Sequence, residues 1–174
     1  MNPSEPPTPE RVREVLRYTK STGVFTWLVT RSHAVAGSRA GTITTQGYRQ
    51  IGLDGGSYRA SNLAWLYVTG SWPKHEIDHK DRDQSNDRWK NLRAATRKQN
   101  CENNGLRKDS STGVRGVHLF KRTGRWTAYI NHNGKRYHLG YFIKKADAQK
   151  ERMKAEREFY THSSFSRENE NRPR

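Results

Sequence analysis

Residues 74–92 read KHEIDHKDRDQSNDRWKNL, and two chemical patterns overlap in that stretch. From His75, "HEIDH" sets two histidines four residues apart around a glutamate, the spacing that lets one helical face grip zinc while the glutamate acts as base. From Asp78, a carboxylate and an imidazole stand side by side, and an asparagine follows at Asn91. The first pattern needs a buried helix. Ile77 is the sole apolar residue between Pro73 and Trp89, and "KDRDQSND" after His79 has the composition of a loop without a helical face. The second pattern needs only a short extended segment, "EID", whose alternation points Asp78 and His79 to different faces, and a polar loop that returns the chain to Asn91. The composition selects the second.

The chain of 174 residues suffices for one ordinary domain or two small ones. With 31% hydrophobic residues, small cores supplemented by metal, DNA or turn chemistry are expected. The formal net charge is +16, with basic residues in every third of the chain. Such an excess favours a polyanion as partner, because counterion release from phosphates supplies affinity whatever the sequence read. Aromatics at 10% and 14 glycines separate the chain from a disordered basic tail. The one cysteine, Cys101, excludes an internal disulfide and a thiolate zinc knuckle and suits a reducing compartment. No apolar run approaches a membrane span, and "MNPSEPPTPE" lacks the apolar core of a signal peptide. A soluble protein that is not secreted is expected.

Residues 1–9 are Pro-rich and read as disordered. From Pro9, "PERVREVLRYTKSTG" reads as a helix with Val12, Val15 and Leu16 on one stripe and Gly23 at its end. "VFTWLV" reads as a strand, "GYRQIGLDGGSYRA" as a hairpin about an Asp-Gly-Gly turn, and "NLAWLYV" as an apolar run of either kind. Thr96 and Gln99 form a capping box that starts a helix carrying Asn100 and ending near Gly105. A polar stretch over 105–112 reads as a linker. Three β-rich runs follow, "GVRGVHLF", "GRWTAYINH" and "GKRYHLGYF", joined at Thr123-Gly124 and at Asn133-Gly134, a type I′ hairpin signal. Alternation puts Trp126, Ala128 and Ile130 on one face and Arg125, Thr127, Tyr129 and Asn131 on the other. Lys144–Tyr160 reads as a helix with Ala146, Met153 and Tyr160 on its stripe, and the tail over 163–174 as disordered.

"IDHKDRDQSNDRWKNLRAATRKQNCEN" resembles the HNH motif of ββα-metal homing endonucleases of phages and mobile introns. Asp78 and His79 match the Asp-His pair, Asn91 the middle asparagine thirteen residues after Asp78, and Asn100 the helical metal ligand nine residues further on. The preceding "YRQIGLDGGSYRASNLAWLYVTGSWP" resembles the segment these enzymes carry before the finger, with Ser61-Asn62 where His-Arg is usual. The likeness spans roughly 10–104. "GVRGV", "GRWTAYI", "RYHLGYF" and "KADAQKERMKAE" resemble the DNA-binding domain of plant ethylene-response factors, over 113–162. Arg115 matches one of that family's arginine readers. His118, Tyr129, Asn131 and His138 occupy reader positions with different residue types, so the plant target sequence does not transfer.

Together the resemblances imply an α+β protein: a ββα-metal HNH finger domain, then a three-stranded antiparallel sheet packed on one helix. They imply a metal-dependent endonuclease acting on double-stranded DNA, of homing type, in the cytoplasm of a bacterial or phage-infected cell. Asp78 and Asn100 would hold one Mg²⁺ or Mn²⁺, too few ligands for firm binding without DNA. His79 would be the general base and Asn91 would fix its tautomer. Arg93 and Arg97 are candidates for phosphate contacts, and Arg115, His118, Arg125, Tyr129, Asn131, Arg136 and His138 for DNA contacts by the sheet. A monomer would nick one strand, and a weak homodimer would cut both. The rival expectations are a catalytically silent, sequence-specific DNA-binding regulator and an RNA-binding or RNA-cleaving protein.

Overall fold

Thr8 starts the first helix, α1 (Pro9–Val15): its hydroxyl accepts the Arg11 amide at 3.2 Å, and proline occupies the first turn, where no amide is needed. The helix expected to run toward Gly23 stops at Val15. Leu16–Thr19 (β1) turns extended and pairs antiparallel with Val24–Trp27 (β2), Leu16 opposite Trp27 and Thr19 opposite Val24. Alternation explains the correction, since as strands these segments bury Leu16, Tyr18, Phe25 and Trp27 on one side. A continued helix would keep the stripe of Val12, Val15 and Leu16 but forfeit the aromatics.

The computed structural model describes residues 5–31, 34–103 and 112–162. Most of the expected linker, the first four residues and the tail from Ser163 lie outside them. The chain divides into two units, Met1–Arg97 and Lys98–Arg174. In the first, Thr42–Ile43 (β3), Arg49–Leu53 (β4) and Gly56–Arg59 (β5) form an antiparallel sheet in the order β3-β4-β5. The turn between β4 and β5 is Asp54-Gly55, both at positive φ (50° and 84°), the two-residue geometry that Asp-Gly favours. The ambiguous apolar run is helix α2 (Ala60–Thr69), closed by Gly70 at φ 76°. Glu76–His79 (β6) pairs antiparallel with Leu92–Ala95 (β7) across a loop ending in a 3₁₀ turn, Trp89–Asn91. Helix α3 (Arg97–Asn103) follows, and the division between units falls within it. The core of this unit joins Val12, Leu16, Phe25, Ile51, Leu63 and Leu66 to Ile77 and Leu92 of the β6–β7 pair. Trp65, Trp72 and Trp89 pack at its margin, Trp65 against Trp89 at 5.4 Å between rings.

In the second unit, Val117–Phe120 (β8), Arg125–His132 (β9) and Lys135–Phe142 (β10) make an antiparallel sheet with β9 central. Asn133 and Gly134 turn at φ 50° and 73° between β9 and β10. Helix α4 (Lys145–Phe159) packs Ala148 against Val117 and Ala128, while Ala155 and the following Tyr160 cover Ile130. Its buried stripe is Ala148, Arg152, Ala155 and Glu156, whereas Ala146 is exposed and Met153 half-buried. The apolar stripe read from sequence is corrected here for a physical reason. Arg152 and Glu156, one turn apart and bonded at 3.0 Å, enter the packed face as a mutually neutralised pair. Among the described residues no helix is long and apolar enough to cross a membrane.

Candidate active site

Strand β6 is short and buried at its end: Asp78 and His79 are 5% and 4% exposed. Antiparallel pairing sets Arg93 of β7 directly opposite Asp78, and its guanidinium donates to Asp78 Oδ2 through Nε at 2.7 Å and Nη2 at 2.5 Å. Arg93, singled out for phosphate, is therefore Asp78's cross-strand partner. Asn91 closes the loop between the strands. Its Oδ1 accepts the Asp81 amide at 3.0 Å, and its Nδ2 donates to Asp81 Oδ1 at 2.9 Å and to the Asn86 carbonyl at 2.8 Å. The Lys80 amide donates to its carbonyl at 2.9 Å. With these bonds one asparagine fixes the loop that leaves His79.

His79 has a second support that motif spacing did not reveal. Its Nε2 lies 2.9 Å from Asp87 Oδ1, and Asp87 is itself 3% exposed. The Tyr18 hydroxyl donates to the Asp87 carbonyl at 2.6 Å, and the Trp89 amide to the Lys20 carbonyl at 3.0 Å. Gly23, at φ 75°, lets the β1–β2 turn approach so closely that a Cβ there would meet Arg88 N at 2.4 Å. The β1–β2 hairpin thereby holds the backbone that presents Asp87. Burial pushes the Asp87 carboxyl up, opposed by its bond to His79 and by the charges of Arg49 and Arg39. An ionised Asp87 only accepts, and its bond to the ring then requires the imidazole hydrogen on Nε2. Nothing local distinguishes Asp87 from Asp81 and Asp83 in "KDRDQSND"; the signal lies in burial, which only the packed hairpin supplies.

Around this pair, the Tyr48 ring lies 6.1 Å from that of His79, and Arg59 stacks over Tyr48 at 4.1 Å. A separate cleft of about 510 Å³ is lined by Arg59, Asn62, Lys74, His75 and Arg97 among others. Asn100 sits on α3, beyond the boundary of the first unit.

Residues 58–101 match the family model for HNH endonuclease. No curated protein and no solved structure matches the chain. The HNH segment runs from β5 into α3 and contains Asp78, His79, Asn91 and Asn100. It stops short of the β8–β10 sheet.

In the second unit, alternation along β9 turns Tyr129 and Asn131 away from the face that meets α4. The register sets Tyr129 opposite His138 and Asn131 opposite Arg136. His118 and Tyr129 rings meet at 5.8 Å, Arg136 lies over Tyr129 at 4.3 Å, and its Nε donates to Asn131 Oδ1 at 3.3 Å. His138 Nε2 bonds the Thr127 hydroxyl at 3.0 Å. Arg125 is exposed at the start of the strand. Arg115 stands apart: it precedes β8, and its guanidinium donates to the Cys101 carbonyl at 3.0 Å and the Tyr160 hydroxyl at 3.3 Å.

The donor chemistry bears on a divalent cation. Carboxylate and amide oxygens are hard donors that suit Mg²⁺ or Mn²⁺. Among the described residues no group of three or more His, Cys, Asp or Glu side chains could hold a metal. A cation here fits only with phosphate and water oxygens completing its shell.

Proposed function

We propose that the chain is a metal-dependent DNA endonuclease of the homing type, with the HNH segment cutting and the β8–β10 sheet supplying targeting. The observation that carries the reading is the buried His79–Asp87 pair beside Asp78, inside the segment that matches HNH endonucleases. Asp87 holds the imidazole by Nε2, and His79 takes a proton from the attacking water at Nδ1. Asn91 supports the same step by fixing the loop. Asp78 would hold the divalent cation, and Asn100 would be the second ligand on its motif spacing alone. When bound, Mg²⁺ or Mn²⁺ would supply charge neutralisation at the phosphate and at the leaving 3′ oxygen. Arg97 contacts phosphate, while His118, Arg125, Tyr129, Asn131, Arg136 and His138 form the sheet face that meets duplex DNA. One active site per chain makes the monomer a nicking enzyme, and a weak homodimer cuts both strands.

One observation favours a second reading, a DNA-binding regulator that does not cut: the Asp78 carboxylate is salt-bridged by Arg93, which competes with a cation. Supercoiled plasmid incubated with the protein and Mg²⁺ or Mn²⁺ separates the two. Nicked circles that disappear on chelation support the nuclease; intact plasmid across metals and DNAs, with binding retained, establishes the regulator.

A further inference from the structure

Three arginines of the first unit converge on a cleft that the catalytic proposal leaves unused. Arg39 comes from the segment before β3, Arg49 from the start of β4, and Arg82 from the loop after β6. They line a space of about 440 Å³ together with Gln84 and Ser85. Arg49 is half-buried. Its Nη1 donates to the Gly41 carbonyl at 2.6 Å, while its Nε is buried without a hydrogen-bond partner. A buried donor left unmade is costly, and a guanidinium presents its donors in a fork that matches two phosphate oxygens.

Two acids lie nearby. Asp83, also in the cleft wall, accepts the Ser85 amide and hydroxyl at 2.9 and 2.7 Å. Asp87 faces His79. Burial and the like charge of Arg39 disfavour the protonated form of Arg49, while the Asp87 carboxyl favours it. The cleft also borders the reaction centre, because Arg49 and Arg39 act on the charge of Asp87.

We propose that Arg39, Arg49 and Arg82 form a seat for a backbone phosphate of duplex DNA, beside the one presented to His79. The seat rests on the nuclease reading for its purpose, not for its existence. It fixes the register of the strand on the finger and carries no sequence information.

The test uses the full chain. In ¹⁵N NMR, the Arg49 Nε–H signal is followed during titration with a short duplex and, separately, with inorganic phosphate. Duplex binding is measured by anisotropy against salt for the wild type and for Arg39→Gln, an exposed position. A saturable shift of the Arg49 signal with duplex is expected. Arg39→Gln should bind several-fold more weakly on every sequence, with the salt slope reduced by about 0.9, the share of one phosphate contact. An unmoved Arg49 signal at saturating duplex, or a wild-type slope in Arg39→Gln, overturns the seat. A shift with inorganic phosphate but not with duplex overturns it too, leaving a free-anion site. Wild-type protein that binds DNA but never nicks it sinks the nuclease reading while the slope still decides the seat. A nicking wild type whose Arg39→Gln variant keeps both rate and slope sinks the seat alone.

Discussion

The imidazole of His79 is flanked by two kinds of restraint, a loop pinned by Asn91 and a carboxylate supplied by Asp87. The carboxylate bonds the ring directly, at Nε2. Replacing His79 by alanine removes the proposed base, and nicking should fall by about 10²- to 10⁴-fold while duplex affinity holds. Single-turnover nicking and anisotropy check this, and equal loss of both would mark His79 as structural. Asp87→Asn keeps the shape and can donate as well as accept, so both tautomers become available. Nicking should drop about tenfold or more with little change in KM, as part of what general-base catalysis contributes. An unchanged rate would leave Asp87 a packing residue.

At the scale of elements, the site depends on two hairpins that carry no catalytic group. Gly23→Ala puts a side chain against Arg88 N and strains a positive φ. Unfolding midpoint and nicking rate should therefore fall together, and full activity in this variant would separate the β1–β2 turn from Asp87. The β4–β5 turn is tied down by charge: Asp54 accepts Arg11 Nε at 2.9 Å and Nη2 at 3.1 Å, and Arg31 Nη2 at 2.7 Å. These bonds, Arg11's first, hold the Asp54 carboxyl down to about 2. A depressed folded value means stability present above the unfolded carboxylate value, near 4, and lost as pH falls toward 2. Asn tolerates the positive φ here, so Asp54→Asn isolates the charge. In urea unfolding the wild type should exceed Asp54→Asn at pH 6, and the gap should close between about pH 4 and 2. A gap independent of pH would refute the ionic account.

Across the whole molecule, a net charge of +16 makes DNA binding a counterion-release process. Affinity should fall ~10³-fold or more between 50 and 200 mM salt if six or more phosphates are engaged, and a flat salt response would contradict the basic-surface argument. Arg136→Gln removes a fork over Tyr129 from the proposed reading face. Discrimination among duplex sequences should narrow while plasmid nicking persists, which binding-site selection from a random library would measure. Chelation should stop nicking and spare duplex binding in part, since the targeting sheet is proposed to work without a cation.

The HNH segment was legible in the chain because its motif lies at fixed spacings in one continuous stretch. The Asp-Gly and Asn-Gly turns were legible because they answer to local backbone sterics. The split of the Pro9–Gly23 segment into helix and hairpin was not, since it is decided by which aromatics reach the core. Asp87 and Arg93 were likewise decided by tertiary structure: strand register puts Arg93 across from Asp78, and the packed hairpin buries Asp87 against His79. Spacing along the chain records which groups are near in sequence. Burial and pairing, which set the charge and tautomer of a site, depend on segments tens of residues away.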